Sequence, residues 1–458
     1  MSRLLKISCE VALRSFNEVG HNTHMNYKVT GGKKLSGTVT TNISKNAGVG
    51  LLCASLLNKG TTTLKRMPRI EELNRLIEVL ESIGVRVVWE ENGDIKITPP
   101  EKIDLMGINR ASAERTRSIA MFIPALAHLL GSFELPAPGG CDLGKRSLGT
   151  HIDALARLGI HITASTDKKS YHIETSDLHP AEVIMFEASD TGVENVLMAA
   201  AKIPGKTTIK FASSNYMVQD LCFFLQACGV QIDGIGTSTL TVHGVADINA
   251  DIVGHPSEDP IESMFFIALA ATTRSELTIC RCPIDFLELE LFTLSQMGLV
   301  YERSAPYVAD NGRTVLVDLI IKSSVLVAPP EKIAPRPYPG INIDNLPFFV
   351  PVATQATGRT LIHDWVYEGR AVHYMEMKKL GADIVLADPH RVFVTGPTPL
   401  RSAVIDAPPA LRPATILLIG MLAAEGQSEL KNVYPISRGY ENLHERLRAI
   451  GASIEAVE

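Results

Sequence analysis

The stretch Leu73-Asn74-Arg75-Leu76-Ile77-Glu78-Val79-Leu80-Glu81-Ser82-Ile83-Gly84-Val85 reads as an amphipathic helix that stops on a glycine and turns into a strand. Its apolar residues fall on one face at helical spacing, and glycine is the residue that most readily takes the left-handed conformation needed past a last helical turn. The phrase recurs five times: Ile152 to Gly159-Ile160, Val218 to Gly229-Val230, Leu287 to Gly298-Leu299, Val372 to Gly381-Ala382 and Leu443 to Gly451-Ala452. The glycines lie 69 to 83 residues apart, which makes the chain six copies of one unit.

Ahead of each copy stands a second helix pattern, almost wholly apolar: Ala47 to Gly60, Ser118 to Gly131, Val193 to Gly205, Ile261 to Ser275, Leu346 to Gly358 and Ala414 to Gly426. A helix apolar all round must be buried on every side. Short β-rich runs such as Thr61-Thr62-Thr63-Leu64 and Leu277-Thr278-Ile279 follow these helices. Each unit therefore reads strand, buried helix, strand, amphipathic helix, strands. Two groups of three units, each closing around its own three buried helices, satisfy those helices and leave a cleft between two globular halves, where ligands bind.

A formal charge of -6 over 458 residues, with no block of like charges, gives no electrostatic footprint for nucleic acid. No apolar run approaches the length of a membrane span, and residues 1–24 are interrupted by Glu10 and Arg14 before reaching signal-peptide length. That segment reads as a disordered arm or a mis-assigned start, and the expected location is the cytoplasm. Seven cysteines without CxxC spacing signal neither a disulfide framework nor a zinc site. Cys280 and Cys282 read as two strand residues on one face.

Several polar signals fall at strand-to-helix turns, where sites are built. They are Ser44-Lys45-Asn46, Arg117, the loop Pro138-Gly139-Gly140-Cys141-Asp142-Leu143-Gly144-Lys145-Arg146, Asp344, and the arginines Arg370, Arg412 and Arg438. Cys141 follows Arg117 by 24 residues, and the intervals Asp344 to Arg370 and Arg412 to Arg438 are both 26. With Ser437-Arg438-Gly439-Tyr440-Glu441, this pattern resembles the enolpyruvyl transferase family, most closely the branch that uses a UDP-sugar, from about Met25 to the end of the chain.

The resemblance implies an α/β fold of two domains, each an inside-out barrel of three repeats. The boundaries expected are 25–44 plus 258–458 for the first domain and 45–257 for the second, which carries the Cys141 loop. It also implies transfer of the enolpyruvyl group of phosphoenolpyruvate to the 3-hydroxyl of UDP-N-acetylglucosamine, the first committed step of peptidoglycan synthesis, with no cofactor and no metal. Lys45, Asn46, Arg117, Arg146, Asp344, Arg370, Arg412 and Arg438 are then the substrate-binding residues, and Cys141, Asp344, Lys45 and Arg412 the catalytic ones. Guanidinium groups suit this task, because their planar donor forks hold phosphate and carboxylate while staying charged at any working pH. Cys141, beside Lys145 and Arg146, is the implied proton donor to C3, and Asp344 the implied base for the acceptor hydroxyl.

The acceptor side departs from the family pattern. Gly149 and Ala410 stand where the family has carboxylates, Ala188-Ser189-Asp190-Thr191 replaces a stretch expected to hold a lysine, and Ser213-Ser214-Asn215-Tyr216-Met217 replaces an acidic loop. Asp406 is the nearest carboxylate ahead of Arg412. A different acceptor, such as another nucleotide, and a non-catalytic paralogue are the alternative readings.

Overall fold

All six corner glycines adopt left-handed backbone, with φ between 87° and 96°. The computed structural model describes residues 25–139 and 148–458. An L side chain in this region crowds its own carbonyl and costs about 1–2 kcal/mol, so the repeat is written into backbone energetics as well as hydrophobic pattern. Gly229 and Gly451 have open space where a Cβ would go, and Gly131 has the same space without the left-handed φ. Alanine at Gly229 or Gly451 should therefore cost about 1 kcal/mol, and alanine at Gly131 almost nothing. Urea unfolding of the three variants checks this.

The six apolar helices are found, with different regularity. Three are long and almost fully buried: Asp190–Ala201, Pro260–Thr273 and Leu411–Ala423. Asp259 caps the second of them, accepting from the backbone N–H of Ile261 at 2.8 Å and of Glu262 at 3.3 Å. Burying side chains such as Phe265, Ile267 and Leu269 stabilises by about 1.5–3 kcal/mol each before conformational entropy is set against it. The helix near the start runs Lys45–Ala54 and tightens to a 3₁₀ turn at Ser55–Leu57. The remaining two begin as 3₁₀ turns, Arg117–Phe122 before Ile123–Ala127 and Leu346–Phe348 before Phe349–Thr354. Pro124, Pro347 and Pro351 lie in these two, and a proline removes one backbone donor from the hydrogen-bond ladder.

Buried apolar side chains gather in two clusters, one drawn from Tyr27 to Val39 and Ile261 to Ile454, the other from Ala47 to Ile252. Six sheets of three to five strands cover the buried helices, and each is open among the described residues. In four of them a parallel pair is extended by antiparallel strands. In one, Glu182–Ile184 pairs parallel with Gly205–Lys210, across the helix Asp190–Ala201. Chain order and sheet order part company at two points. Ser36–Thr40 pairs parallel with Glu276–Pro283, and Thr62–Leu64 pairs parallel with Ile252–Gly254. The chain thus passes between the clusters twice, near residues 41–45 and 255–259. The passes lie side by side: Ser44 N–H donates to Ser257 O at 2.9 Å and Asp259 N–H to Asn42 O at 2.8 Å.

Glu258, buried in this crossing, accepts from Arg66 at 2.8 Å and from Arg281 at 2.6 Å. Arg281 has φ 61° and sits in a β-bulge between Ile279 and Cys282. An extra residue in one strand shifts the alternation of faces. It overturns the expectation that Cys280 and Cys282 share a face: Cys282 is buried in the core and Cys280 is not. No helix of the described residues is long and apolar enough to cross a membrane.

Candidate active site

Asp344 opens the site, on the turn between Ile341 and the 3₁₀ turn at Leu346. Its backbone N–H is held by Asn342 Oδ1 at 2.9 Å. Its carboxylate lies 3.6 Å from Arg370 Nη1 and 3.5 Å from Arg412 Nη2. Both arginines are buried, Arg370 completely.

Such burial is tolerable only because each charge is matched. Arg370 is fixed by Asp364, with Nε at 2.6 Å from Oδ2 and Nη2 at 2.9 Å from Oδ1, and Nη2 also donates to Ile343 O at 2.7 Å. Tyr374 Oη donates to the same carboxylate at 2.5 Å. Arg412 Nη1 donates to Tyr440 Oη at 3.1 Å. Among the described residues, Arg370 Nη1 and Arg412 Nε have no hydrogen-bond partner, although buried. Fixed cationic donors with unused N–H groups beside a carboxylate suit an anion and an acid–base group in one place.

A second cluster forms around Glu72, which the sequence reading did not single out. Arg438 reaches it with Nε at 3.1 Å and Nη2 at 2.6 Å, Thr116 donates to it at 2.5 Å and Ser118 at 3.2 Å. Burial works against the Glu72 charge, but Arg438, Lys45 and the Thr116 hydrogen bond outweigh it and hold its carboxyl below the ordinary value of 4.5. A depressed folded-state pKa gives stability that is present above the unfolded value and is lost as pH falls through the folded one. Glu72→Gln should therefore flatten the loss of stability below about pH 4.5, measured as the urea midpoint across pH 3 to 7. The signal in the sequence was a carboxylate on the apolar face of a helix, one turn before Leu76.

Of the anticipated residues, Asp344, Arg370 and Arg412 are brought together, while Arg438 pairs with Glu72 and Lys45 lies within electrostatic reach of it. Asn46 donates through Nδ2 to Tyr216 Oη at 3.4 Å. Arg117 begins its 3₁₀ turn within electrostatic reach of His151, which burial and then Arg117 push down to about 4. Cys141 and Arg146 lie outside the described residues. On the acceptor side, Ala410 is buried and provides no side-chain cap to the helix Leu411–Ala423. Asp406 accepts from Asn432 Nδ2 at 3.1 Å. Asp190, half-buried in the first turn of its helix, accepts from Ser213 at 2.5 Å and Asn215 at 3.2 Å. Burial, and to a lesser degree Asp344, raise its pKa. Among the described residues no group of three or more His, Cys, Asp or Glu is placed to hold a metal ion.

The family model for EPSP synthase (3-phosphoshikimate 1-carboxyvinyltransferase) matches residues 29–447. The chain belongs to this enolpyruvyl transferase family. Among curated members it is 33% identical over 432 residues to a UDP-N-acetylglucosamine 1-carboxyvinyltransferase of Bradyrhizobium diazoefficiens, covering 94% of this chain and 98% of the relative. The protein of that name from Borreliella burgdorferi is likewise 33% identical, over 435 residues, 94% of this chain and 99% of its own. Among solved structures, the enolpyruvyl transferase NikO from Streptomyces tendae superposes with a TM-score of 0.82 at 22% identity, covering 95% of this chain and 99% of that one. EPSP synthase from Acinetobacter baumannii superposes at 0.73 with 18% identity, covering 95% and 100%. These two likenesses are of fold, and they share the mixed α/β architecture of this enolpyruvyl transferase.

Proposed function

We propose that this enolpyruvyl transferase moves the enolpyruvyl group of phosphoenolpyruvate to the 3-hydroxyl of UDP-N-acetylglucosamine, releasing phosphate, as the first committed step of peptidoglycan synthesis in the cytoplasm. The observation that carries the transfer chemistry is Asp344 lying between two buried arginines that, among the described residues, keep unused N–H groups. The acceptor is suggested by the names of the curated relatives.

In this reading Asp344 takes the proton of the acceptor hydroxyl, whose oxygen bonds to C2 of the enol while Cys141 delivers a proton to C3. A tetrahedral adduct results. Loss of a proton from C3 and cleavage of the C2–O bond to phosphate restore the enol. Lys45, Arg117, Arg146, Arg370, Arg412 and Arg438 hold the phosphate and carboxylate, and Asn46 orients the adduct. The two core clusters are then two domains, 25–44 plus 258–458 and 45–257, each a three-repeat inside-out barrel. Their approach would assemble the site and expel water.

A second reading, a different acceptor such as another nucleotide, is favoured by Asp190. A helix N-terminus ordinarily welcomes an anion, and here it carries its own carboxylate, held by Ser213 and Asn215. The test is phosphate release from phosphoenolpyruvate with UDP-N-acetylglucosamine, beside other nucleotides and shikimate 3-phosphate, in wild type and Cys141→Ala. Release with the UDP-sugar that vanishes in the variant supports the first reading. Release only with another acceptor supports the second, and silence throughout removes both.

A further inference from the structure

Tyr216 is the first residue of the helix Tyr216–Ala227 and is buried to 1% exposure, yet its hydroxyl sits among the site residues. Ser44 Oγ donates to it at 3.0 Å and Asn46 Nδ2 at 3.4 Å. Ser44 is itself fixed as the cap of the helix Lys45–Ala54, accepting from Ala47 N–H at 3.3 Å. The ring is held edge-on by Phe286, with centroids 5.7 Å apart. A phenol oxygen has two acceptor positions and one proton to give. Both acceptor positions are filled, and among the described residues nothing accepts the proton.

A buried donor left without an acceptor costs about 1–3 kcal/mol, so its retention calls for a partner. The charged groups within electrostatic reach of the hydroxyl are Asp259, Asp344 and Arg412. Burial, the largest influence, then Asp259 and Asp344 keep the phenol protonated far above its ordinary range. The group is therefore a fixed hydrogen-bond donor and never a base.

We infer that Tyr216 is a substrate-contacting residue whose hydroxyl donates to an oxygen of the acceptor next to the hydroxyl that Asp344 deprotonates. This rests on the transferase reading above. A bond to the attacking oxygen itself would draw electron density from the nucleophile, whereas a bond to its neighbour orients the acceptor without weakening the attack. The acceptor class that fits has a second oxygen vicinal to the reacting hydroxyl, as a sugar ring does. The position is supplied by Ser213-Ser214-Asn215-Tyr216-Met217, and Ser214 Oγ of that loop also donates to Tyr338 O at 3.3 Å, beside the Asp344 segment.

Tyr216→Phe removes the proton and keeps the ring. KM is measured for UDP-N-acetylglucosamine, or for whichever acceptor of the panel supports release, alongside KM for phosphoenolpyruvate, kcat and Tm. The expected result is an acceptor KM raised about tenfold, a phosphoenolpyruvate KM within twofold of wild type, and a Tm equal or higher because an unmet donor is gone. An unmoved acceptor KM overturns the assignment. So does a joint rise of both KM values with a fall in Tm, the signature of a purely structural role through Ser44 and Asn46. Calorimetric titration with phosphoenolpyruvate alone separates the two levels. Wild type that neither binds it nor releases phosphate sinks the transferase reading, whereas intact phosphate release with an unmoved acceptor KM sinks only the role of Tyr216.

Discussion

Asp344→Asn should lower kcat by about 10²- to 10⁴-fold while phosphoenolpyruvate binds as tightly as before or more tightly. Asparagine keeps the shape and the hydrogen-bonding oxygen but cannot take a proton. It also removes the negative charge lying 3.6 Å from Arg370 and 3.5 Å from Arg412, which leaves both cations more available to an anionic substrate. The two effects have opposite signs on affinity and turnover, so a steady-state split between kcat and KM, with calorimetric titration of phosphoenolpyruvate, tests both. A parallel loss of affinity and turnover would make Asp344 a scaffold for the arginines instead of a base.

The largest effect on stability is expected at Asp364, which never touches the reacting groups in this reading. Asp364 is completely buried and holds Arg370 by two hydrogen bonds, of 2.6 and 2.9 Å, while accepting from Tyr374 at 2.5 Å. Asp364→Ala leaves a buried guanidinium with Asp344, 3.6 Å from Nη1 and not hydrogen-bonded to it, as its remaining carboxylate, and breaking such a pair from one side costs about 3–5 kcal/mol. Replacing both partners, as Asp364→Ala with Arg370→Met, should restore part of that loss because no bare charge is left inside. Urea unfolding of the single and double variants gives the comparison. A single variant as stable as wild type would mean that water reaches Arg370 and solvates it.

Several parts of this architecture were open to a reader of the sequence. Gly84, Gly159, Gly229, Gly298, Gly381 and Gly451 announce their corners because left-handed backbone is a property of one residue and its immediate neighbours. The stretches around Phe265 and Leu417 announce buried helices because an all-apolar face has no other resting place. Where a second local rule intervened the reading slipped: prolines turned two of the helices partly into 3₁₀ turns, and a bulge at Arg281 separated Cys280 from Cys282.

The site was legible as a set of residue types and not as a set of contacts. Asp344, Arg370 and Arg412 stood out at strand-to-helix turns, and Tyr440 as part of the stretch 437–441, but the supports Asp364 and Tyr374 did not, since each looks like an ordinary polar residue near a loop. Glu72 was missed for the same reason, and Tyr216 was legible only as one residue of the altered loop 213–217. Each sits in a helix whose pattern is explained without it, and its partners, Arg438 and Ser44 with Asn46, are 366 and 170 or more residues away.

The repeat, its turns, the helices that had to be buried and the charged groups available for chemistry can all be read along the chain, because they follow from energies that act within a few residues. Which carboxylate each arginine answers is fixed by packing in three dimensions. Glu72 with Arg438, Asp364 with Arg370, and Asp344 between Arg370 and Arg412 are pairings set by how the packed helices bring distant turns together. The strength of a buried charge pair depends on separation and burial in space, and distance along the chain does not enter it.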